Sequence, residues 1–402
     1  MKPRAIALLA AWLIALLVYC PSKSLAETYT ETVLYNFPSG NATSPSNIVL
    51  DSAGNLYGVT YSGGTYGVGS IFEVSAIGVF SILYSFNPNQ YRSPNSGYYP
   101  WGLVISSSGD LYGTTNQGGL FLNSDEVWGG VVFKFSTATK HYSVLHKFGS
   151  SSSDGFVPAG PLTFAPNGNL YGMTNYGGTT GDGTIFEVTP EGVETVEYSF
   201  PAALTYPTSN VFRDNKGDFY GLAYYGTTLF EVTASGENKI LNSGIGAIGS
   251  ELYYLGRSAA GNFYGEFSYS SLSGLSYSGL WEVLASDDLL SEYYFGDGCS
   301  STFCSSLSVP QGPFMFSNGN IYGTTVGARN AAGTFLNGAV YELNQATGVV
   351  NTLYTFCSVP NCADGSQPRS GVTADSKGNL YGTTWSGGAN DNGVVFKLTV
   401  SN

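Results

Sequence analysis

Short apolar segments, each interrupted by a polar or charged residue, recur along this chain. Seven read alike: Ile71-Phe72-Glu73-Val74, Val132-Phe133-Lys134-Phe135, Ile185-Phe186-Glu187-Val188, Leu229-Phe230-Glu231-Val232, Leu280-Trp281-Glu282-Val283, Val340-Tyr341-Glu342-Leu343 and Val395-Phe396-Lys397-Leu398. They are too short for helices, and turn residues flank them, so they predict β-strands. Ahead of each lies an apolar residue followed by Tyr-Gly: Tyr57, Tyr112, Tyr171, Tyr220, Tyr264, Tyr322 and Tyr381 are the tyrosines, spaced 44 to 59 residues apart.

Each copy sits in a frame of four segments. The first runs toward a Gly-Asn or Gly-Asp turn, as in Gly102–Ile105 before Gly109-Asp110. The second is Leu-Tyr-Gly-Thr-Thr, the third is the segment above, and the fourth resembles Ser81–Phe86. Four strands in a period near fifty residues make one blade of a β-propeller. The predicted fold is all-β: a seven-bladed propeller with four antiparallel strands per blade.

The fourth segment also predicts how the ring closes. The last unit stops at Thr399–Asn402 without one, and an unmatched copy, Thr32–Phe37, lies at the other end. The N-terminal strand should therefore complete the last blade, which leaves no bare edge. Length alone would suggest two or three domains; the repeat replaces that expectation with one domain over residues 27–402.

Residues 1–26 read as a secretory signal peptide. Lys2 and Arg4 precede an apolar run from Ala5 to Tyr19, and Ser24-Leu25-Ala26 offers small residues at a cleavage site. The run is shorter than the ~20 residues a membrane span needs, and bulky Tyr19 disfavours a lipid anchor on Cys20. A secreted or periplasmic protein without a stable membrane anchor is expected.

Composition adds polarity without charge. Only 11% of residues are charged, 15% are aromatic, and there are 54 glycines. The net charge of −13 becomes −16 once Lys2, Arg4 and Lys23 leave with the signal. An acidic surface repels phosphate backbones and anionic lipids, so nucleic acid is not an expected partner. Four cysteines remain in the exported chain, and an even count favours disulfides. The pairs Cys299–Cys304 and Cys357–Cys362 are preferred, each five residues apart in matching loops.

Gly-Asn-Leu-Tyr-Gly-Thr-Thr, then Gly-Gly, then Gly-Val-Val-Phe-Lys-Leu, over 378–398, resembles the GloVer repeat. That repeat is named for Gloeobacter and Verrucomicrobia and occurs in exported bacterial proteins with varied C-terminal anchors. The resemblance covers the whole exported chain, most clearly in the units of Tyr57, Tyr112, Tyr171, Tyr322 and Tyr381. It is weaker in those of Tyr220 and Tyr264. The sequence ends directly after its last strand, without the anchor segment many relatives carry. The resemblance implies a repeat protein and export; it assigns no catalytic residue.

The long connections join second to third and fourth to first strands, so they emerge on one face. Long loops on a rigid scaffold are where function resides. Two sets of positions vary there within a fixed frame. Four residues past each repeat Tyr stand Tyr61, Asn116, Asn175, Tyr224, Ser268, Val326 and Trp385. At the start of the first strand, beside a recurring Pro, stand Ser46, Trp101, Ala159, Thr208, Gln311 and Arg369, with Glu251 in blade five. Of these, Tyr61, Trp101, Asn116, Asn175, Tyr224, Gln311, Arg369 and Trp385 are the candidate ligand-binding residues. Aromatic faces with amides and a guanidinium suit a neutral polar ligand such as a glycan; filling of loop bases is the plainer alternative.

Catalysis has less support. The two histidines, His141 and His146, fall on an outer strand, so a nucleophile–histidine pair at the channel is not expected. Loop-face carboxylates (Asp125, Glu126, Asp154, Asp182, Asp297, Asp364 and Asp391) could flank a glycosidic bond. Glu266 stands where the other units have Val59, Thr114, Met173, Leu222, Thr324 and Thr383; a solvated substitution is the simpler reading, and Glu266 and Arg369 are the weak catalytic candidates. Neither Asp182 nor Asn390-Asp391-Asn392 matches a ligand-dense calcium loop. No metal and no cofactor are expected. The reading is an exported monomer that binds a glycan or another extracellular protein. The alternatives are a polysaccharide lyase or glycoside hydrolase, and a structural scaffold.

Overall fold

The third segments are buried on both faces, with their Glu or Lys half-exposed except for the buried Glu282 of blade 5. Each Tyr-Gly segment pairs antiparallel with the third segment that follows it. In that register each glycine faces an aromatic ring: Gly58 faces Phe72, Gly172 faces Phe186 and Gly382 faces Phe396. A Cβ on Gly172 would stand 2.3 Å from Phe186 Cζ, and the other six glycines are as tight or nearly so. A glycine in a strand admits close approach, and what approaches here is the cross-strand ring.

The computed structural model describes residues 28–38, 42–87, 96–120, 129–243, 254–270, 276–284, 290–295, 310–327 and 337–401. These residues form seven antiparallel sheets. Blade 1 begins at Ala42, blade 2 at Gly97, blade 3 at Gly155, blade 4 at Phe212, blade 5 at Leu255 and blade 6 at Pro310. Blade 7 has Thr373–Ala374, Leu380–Thr383 and Val394–Ser401, and its outer strand is Thr28–Asn36. The closing register runs from Thr28 opposite Ser401 to Asn36 opposite Val394. In blade 3 the innermost position is split into Gly155–Pro158 and Thr163–Phe164, both paired with Leu170–Gly177.

Two features are absent from the sequence reading. Six of the seven outer strands carry a bulge opposite the third strand, as between Ile185 and Phe186 or Val33 and Tyr35. Bulges add twist and re-aim side chains. After the bulge, outer-strand phenylalanines such as Phe37, Phe86, Phe148, Phe200 and Phe356 are fully buried. The residue before a Pro that opens the next blade is left-handed: Tyr99 (φ 57°), Val157 (60°), Tyr206 (53°) and Gln367 (56°). Each Pro sits against the glycine that precedes the previous blade's third strand, Pro100 on Gly69 and Pro158 on Gly130 among them. The core lies between blades, as where Tyr57, Ile71 and Phe86 of blade 1 meet Leu103, Phe133 and Phe135 of blade 2.

At the opposite rim the repeat tyrosines are held by their hydroxyls. Tyr57 donates to Asp51 and Glu73, Tyr171 to Glu187, Tyr220 to Asp214 and Glu231, and Tyr381 to Asp375. The Asn and Asp beside the turn glycines close their own turns, as Asn55 and Asn379 do on Asp51 and Asp375. They are turn chemistry, as the sequence suggested.

Candidate functional site

The second strand of each blade ends on the loop face, and the next blade's first strand begins beside it. In three blades the threonine two past the repeat Tyr joins them: Thr114 Oγ1 donates to Gly160 O (3.4 Å), Thr324 to Ser370 O (2.8 Å) and Thr383 to Ser46 O (3.2 Å). The two sequence-selected sets of positions are thereby brought together across every such junction.

Aromatic rings gather at this rim. Tyr61 is exposed and stacks on Tyr99 of blade 2, centroids 4.8 Å apart. Tyr206 stacks on Tyr225 at 4.8 Å and meets Tyr176 edge-on at 5.6 Å, and Tyr176 stacks on Phe156 at 5.4 Å. Arg369 lies 4.2 Å over the Trp385 ring, whose Nε1 donates to Pro45 O (3.0 Å) in blade 1. Asn175 Nδ2 donates to Pro207 O (2.9 Å), so this amide braces a junction. Tyr224 has a left-handed backbone (φ 51°) and an exposed ring. Burial and mutual contact raise the phenol pKa values of Tyr61 and Tyr225, so these hydroxyls stay neutral.

Trp101 and Asn116 are less exposed. Trp101 is half-buried, and its carbonyl accepts from Ser46 Oγ (2.9 Å). Asn116 is half-buried at the end of blade 2's second strand. Gln311 pairs with Thr324 in blade 6. Ala159, Thr208 and Val326 are buried, so these positions are packing. Cys357 and Cys362 form a disulfide. The signal segment, Cys299, Cys304, Glu251, Asp125, Glu126 and Asp297 lie outside the described residues.

Glu266 departs from its sequence reading. It is 5% exposed, so it is not a solvated substitution. It takes the place of the junction threonines, and its Oε1 has no hydrogen-bond partner among the described residues. Burial holds its pKa well above the usual carboxylate range. Its charge acts on the phenols of Tyr254 and Tyr341, while Arg369 lies over Trp385 on blade 7. Tyr254 borders a channel cavity of about 230 Å³, also lined by Asn47, Asn210, Arg257 and Phe314. The Asn47 and Asn210 amides each bond both backbone groups of the next blade's strand, at Leu103 and Leu255.

Sequence reasoning missed Tyr99, Tyr206, Tyr176 and Tyr225. The first two precede Pro100 and Pro207, and the last two stand five past a repeat Tyr. Tyr-Pro at a blade start was the available signal.

Solved structures share this architecture. Virginiamycin B lyase from Staphylococcus aureus is 14% identical, with TM-score 0.54 over 93% of this chain and 99% of its own. Oligogalacturonate lyase from Vibrio parahaemolyticus is 11% identical, with TM-score 0.56 over 92% and 94%. At such identity the likeness is one of fold. No curated protein matches the sequence. The Gloeobacter/Verrucomicrobia repeat matches residues 22–234, more than half of the chain. With seven copies of the Tyr-Gly frame in seven blades, this chain belongs to the Gloeobacter/Verrucomicrobia repeat family.

Proposed function

We propose that this propeller is an exported binding module whose loop-face rim takes up a neutral glycan. The observation that carries the reading is a set of rings left open at one blade end: Tyr61, Tyr176, Tyr224, Tyr225 and Trp385, each 36 to 55% exposed. Sugar faces are apolar and their edges are polar, so stacked rings beside amides and Arg369 match them. Export is supported by the signal-like N-terminus and by the Cys357–Cys362 disulfide, which suits an oxidising compartment. Among the described residues no helix is long and apolar enough to cross a membrane.

A glycan array probed with the purified protein tests the reading. Neutral polysaccharides should bind, and Tyr61→Ala or Trp385→Ala should each weaken binding about five- to tenfold, the worth of one stacked ring. Absence of binding to every glycan, or binding indifferent to both substitutions, overturns it.

One observation favours a second reading. The buried Glu266, its pKa raised by burial, has the character of a general acid, and two similar propellers are named as lyases. A polysaccharide cleavage screen decides it: activity abolished by Glu266→Gln would make the protein an enzyme, and no cleavage leaves the binding role.

A further inference from the structure

On the outer strands, junctions 7/1, 1/2 and 3/4 are closed by the same pair of positions. The first lies two residues before the outer-strand Phe. It is a tyrosine in five blades, Asn242 in blade 4 and His146 in blade 2. The second starts the next blade's outer strand, opposite the end of its third strand. Tyr35 stacks on Phe80 (3.9 Å), Tyr84 stacks on Tyr142 (4.1 Å), and Asn238 Nδ2 donates to the Tyr198 hydroxyl (3.0 Å). These are ordinary packing pairs.

Two junctions differ, and they differ together. Glu194 and Glu31 hold the second position at junctions 2/3 and 6/7, opposite Val188 and Leu398. At the same two junctions an aspartate, Asp154 or Asp364, stands four residues before the Pro; Ser96 and Ala203 stand there at junctions 1/2 and 3/4. Asp364 Oδ2 accepts from the Tyr354 hydroxyl (2.8 Å) and from Ser358 N (2.9 Å) and Oγ (2.8 Å). Asp154 Oδ2 accepts from Ser150 N (2.8 Å) and Oγ (2.9 Å) and lies 3.2 Å from His146 Nε2. In each pair both carboxylates keep one buried oxygen with no hydrogen-bond partner among the described residues: Asp154 Oδ1 with Glu194 Oε1, and Asp364 Oδ1 with Glu31 Oε1. Facing carboxylates out of water require a proton or a cation between them.

At both junctions burial raises the pKa of the outer-strand glutamate, Glu31 at 6/7 and Glu194 at 2/3. Burial, then the Asp364 charge, pushes Glu31 up to about 7, and a phenol is the third group. Junction 2/3 has an imidazole instead. Its side chains are 12% exposed at His146 and 2% at Asp154, and one donor atom each from His146, Asp154 and Glu194 lie within 4.8 Å of one another.

We propose that His146, Asp154 and Glu194 form a binding site for a divalent transition-metal ion of the zinc type, fastening blade 2 to blade 3. One imidazole nitrogen and two carboxylates are a three-ligand set with room for water in a fourth position. The two carboxylates balance the charge of the ion. An imidazole ligand favours zinc, and calcium and magnesium prefer oxygen alone. The Ser150 N–H and hydroxyl hold Asp154 in place, as groups behind metal ligands do. Asp154 lies two residues from Phe156, whose ring stacks on Tyr176 of the rim; zinc binding there does not require glycan binding.

Protein stripped with EDTA, then titrated calorimetrically with zinc chloride, tests this. One equivalent of zinc should bind, calcium at the same concentration should not compete, and zinc should raise the melting temperature. His146→Tyr, which installs the residue of five other blades, should keep the circular dichroism spectrum and weaken zinc more than ~100-fold, beyond the loss typical of an outer-shell partner. Glu31→Gln at the twin junction should leave zinc binding unchanged. Should His146→Tyr fail to fold, Glu194→Gln on the partly exposed outer strand removes a ligand from the same set and should weaken zinc likewise. The proposal is overturned if zinc does not bind stoichiometrically, if calcium displaces it, or if zinc binding survives these changes to His146 or Glu194.

Discussion

Seven times over, the glycine after the repeat tyrosine serves as the floor for an aromatic ring. That makes the dipeptide a packing unit: the tyrosine is tied by its hydroxyl at one end, and the glycine receives Phe72, Phe133, Phe186, Phe230, Trp281, Tyr341 or Phe396. A methyl group there must displace a ring that is itself fully buried. Gly172→Ala, with 2.3 Å between its Cβ and Phe186 Cζ, is expected to destabilise the fold by about 1–3 kcal/mol, as overpacking does. Denaturant unfolding of the variant checks it, and Gly168→Ala would be a poor control because that glycine needs φ +86° for its turn. The tyrosine's hydroxyl bond was legible in the sequence, since a buried phenol seeks a partner. The glycine's ring partner was not, because only the strand register sets them opposite. Glu266 was misread for a related reason: exposure at a strand position is decided by the neighbouring blade, which a single repeat does not contain.

Among the strands, the closing one is chemically distinct. Thr28–Asn36 holds blade 7 at its edge, and Glu31 on it faces Asp364. The folded pKa of Glu31, about 7, lies above its ordinary 4.5. Protonation therefore favours the folded strand: its contribution is complete below pH 4.5 and is lost as pH rises through 7. Glu31→Gln keeps the neutral form at every pH. Wild type should accordingly melt progressively lower relative to Glu31→Gln as pH goes from 5 to about 8, followed by calorimetry in parallel scans; a difference constant with pH would refute the assignment. The need for this strand was legible from counting fourth segments. Its bulge between Val33 and Tyr35, which sets Tyr35 flat on Phe80, was not, because bulges leave no fixed residue signature.

At the scale of the ring, the repeat places a second strand and its Tyr-Gly pair alike in each of the seven blades, while the side chains at its loop-face end differ. Tyr61, Trp101, Asn116, Asn175, Tyr224 and Trp385 were selected by asking what varies at fixed repeat positions, and Arg369 lies over the Trp385 ring, a contact that the selection did not foresee. The tyrosine stacks were hidden because they join residues of different sets, Tyr99 to Tyr61 and Tyr206 to Tyr225. The whole molecule carries a net charge of −13 with only 11% charged residues. On the proposed reading, the rim has little Coulombic component to offer an anion and much ring surface to offer a neutral face. Affinity for a neutral glycan should stay constant from about 0.05 to about 0.5 M salt, a span over which screened charge contacts fade. Heparin or DNA should not be retained even at low salt, where basic partners would hold them. Affinity measurements across that salt series decide the matter: a steep fall in binding with salt would mean that Arg369, and not the rings, carries the ligand, and that the ligand is an anion.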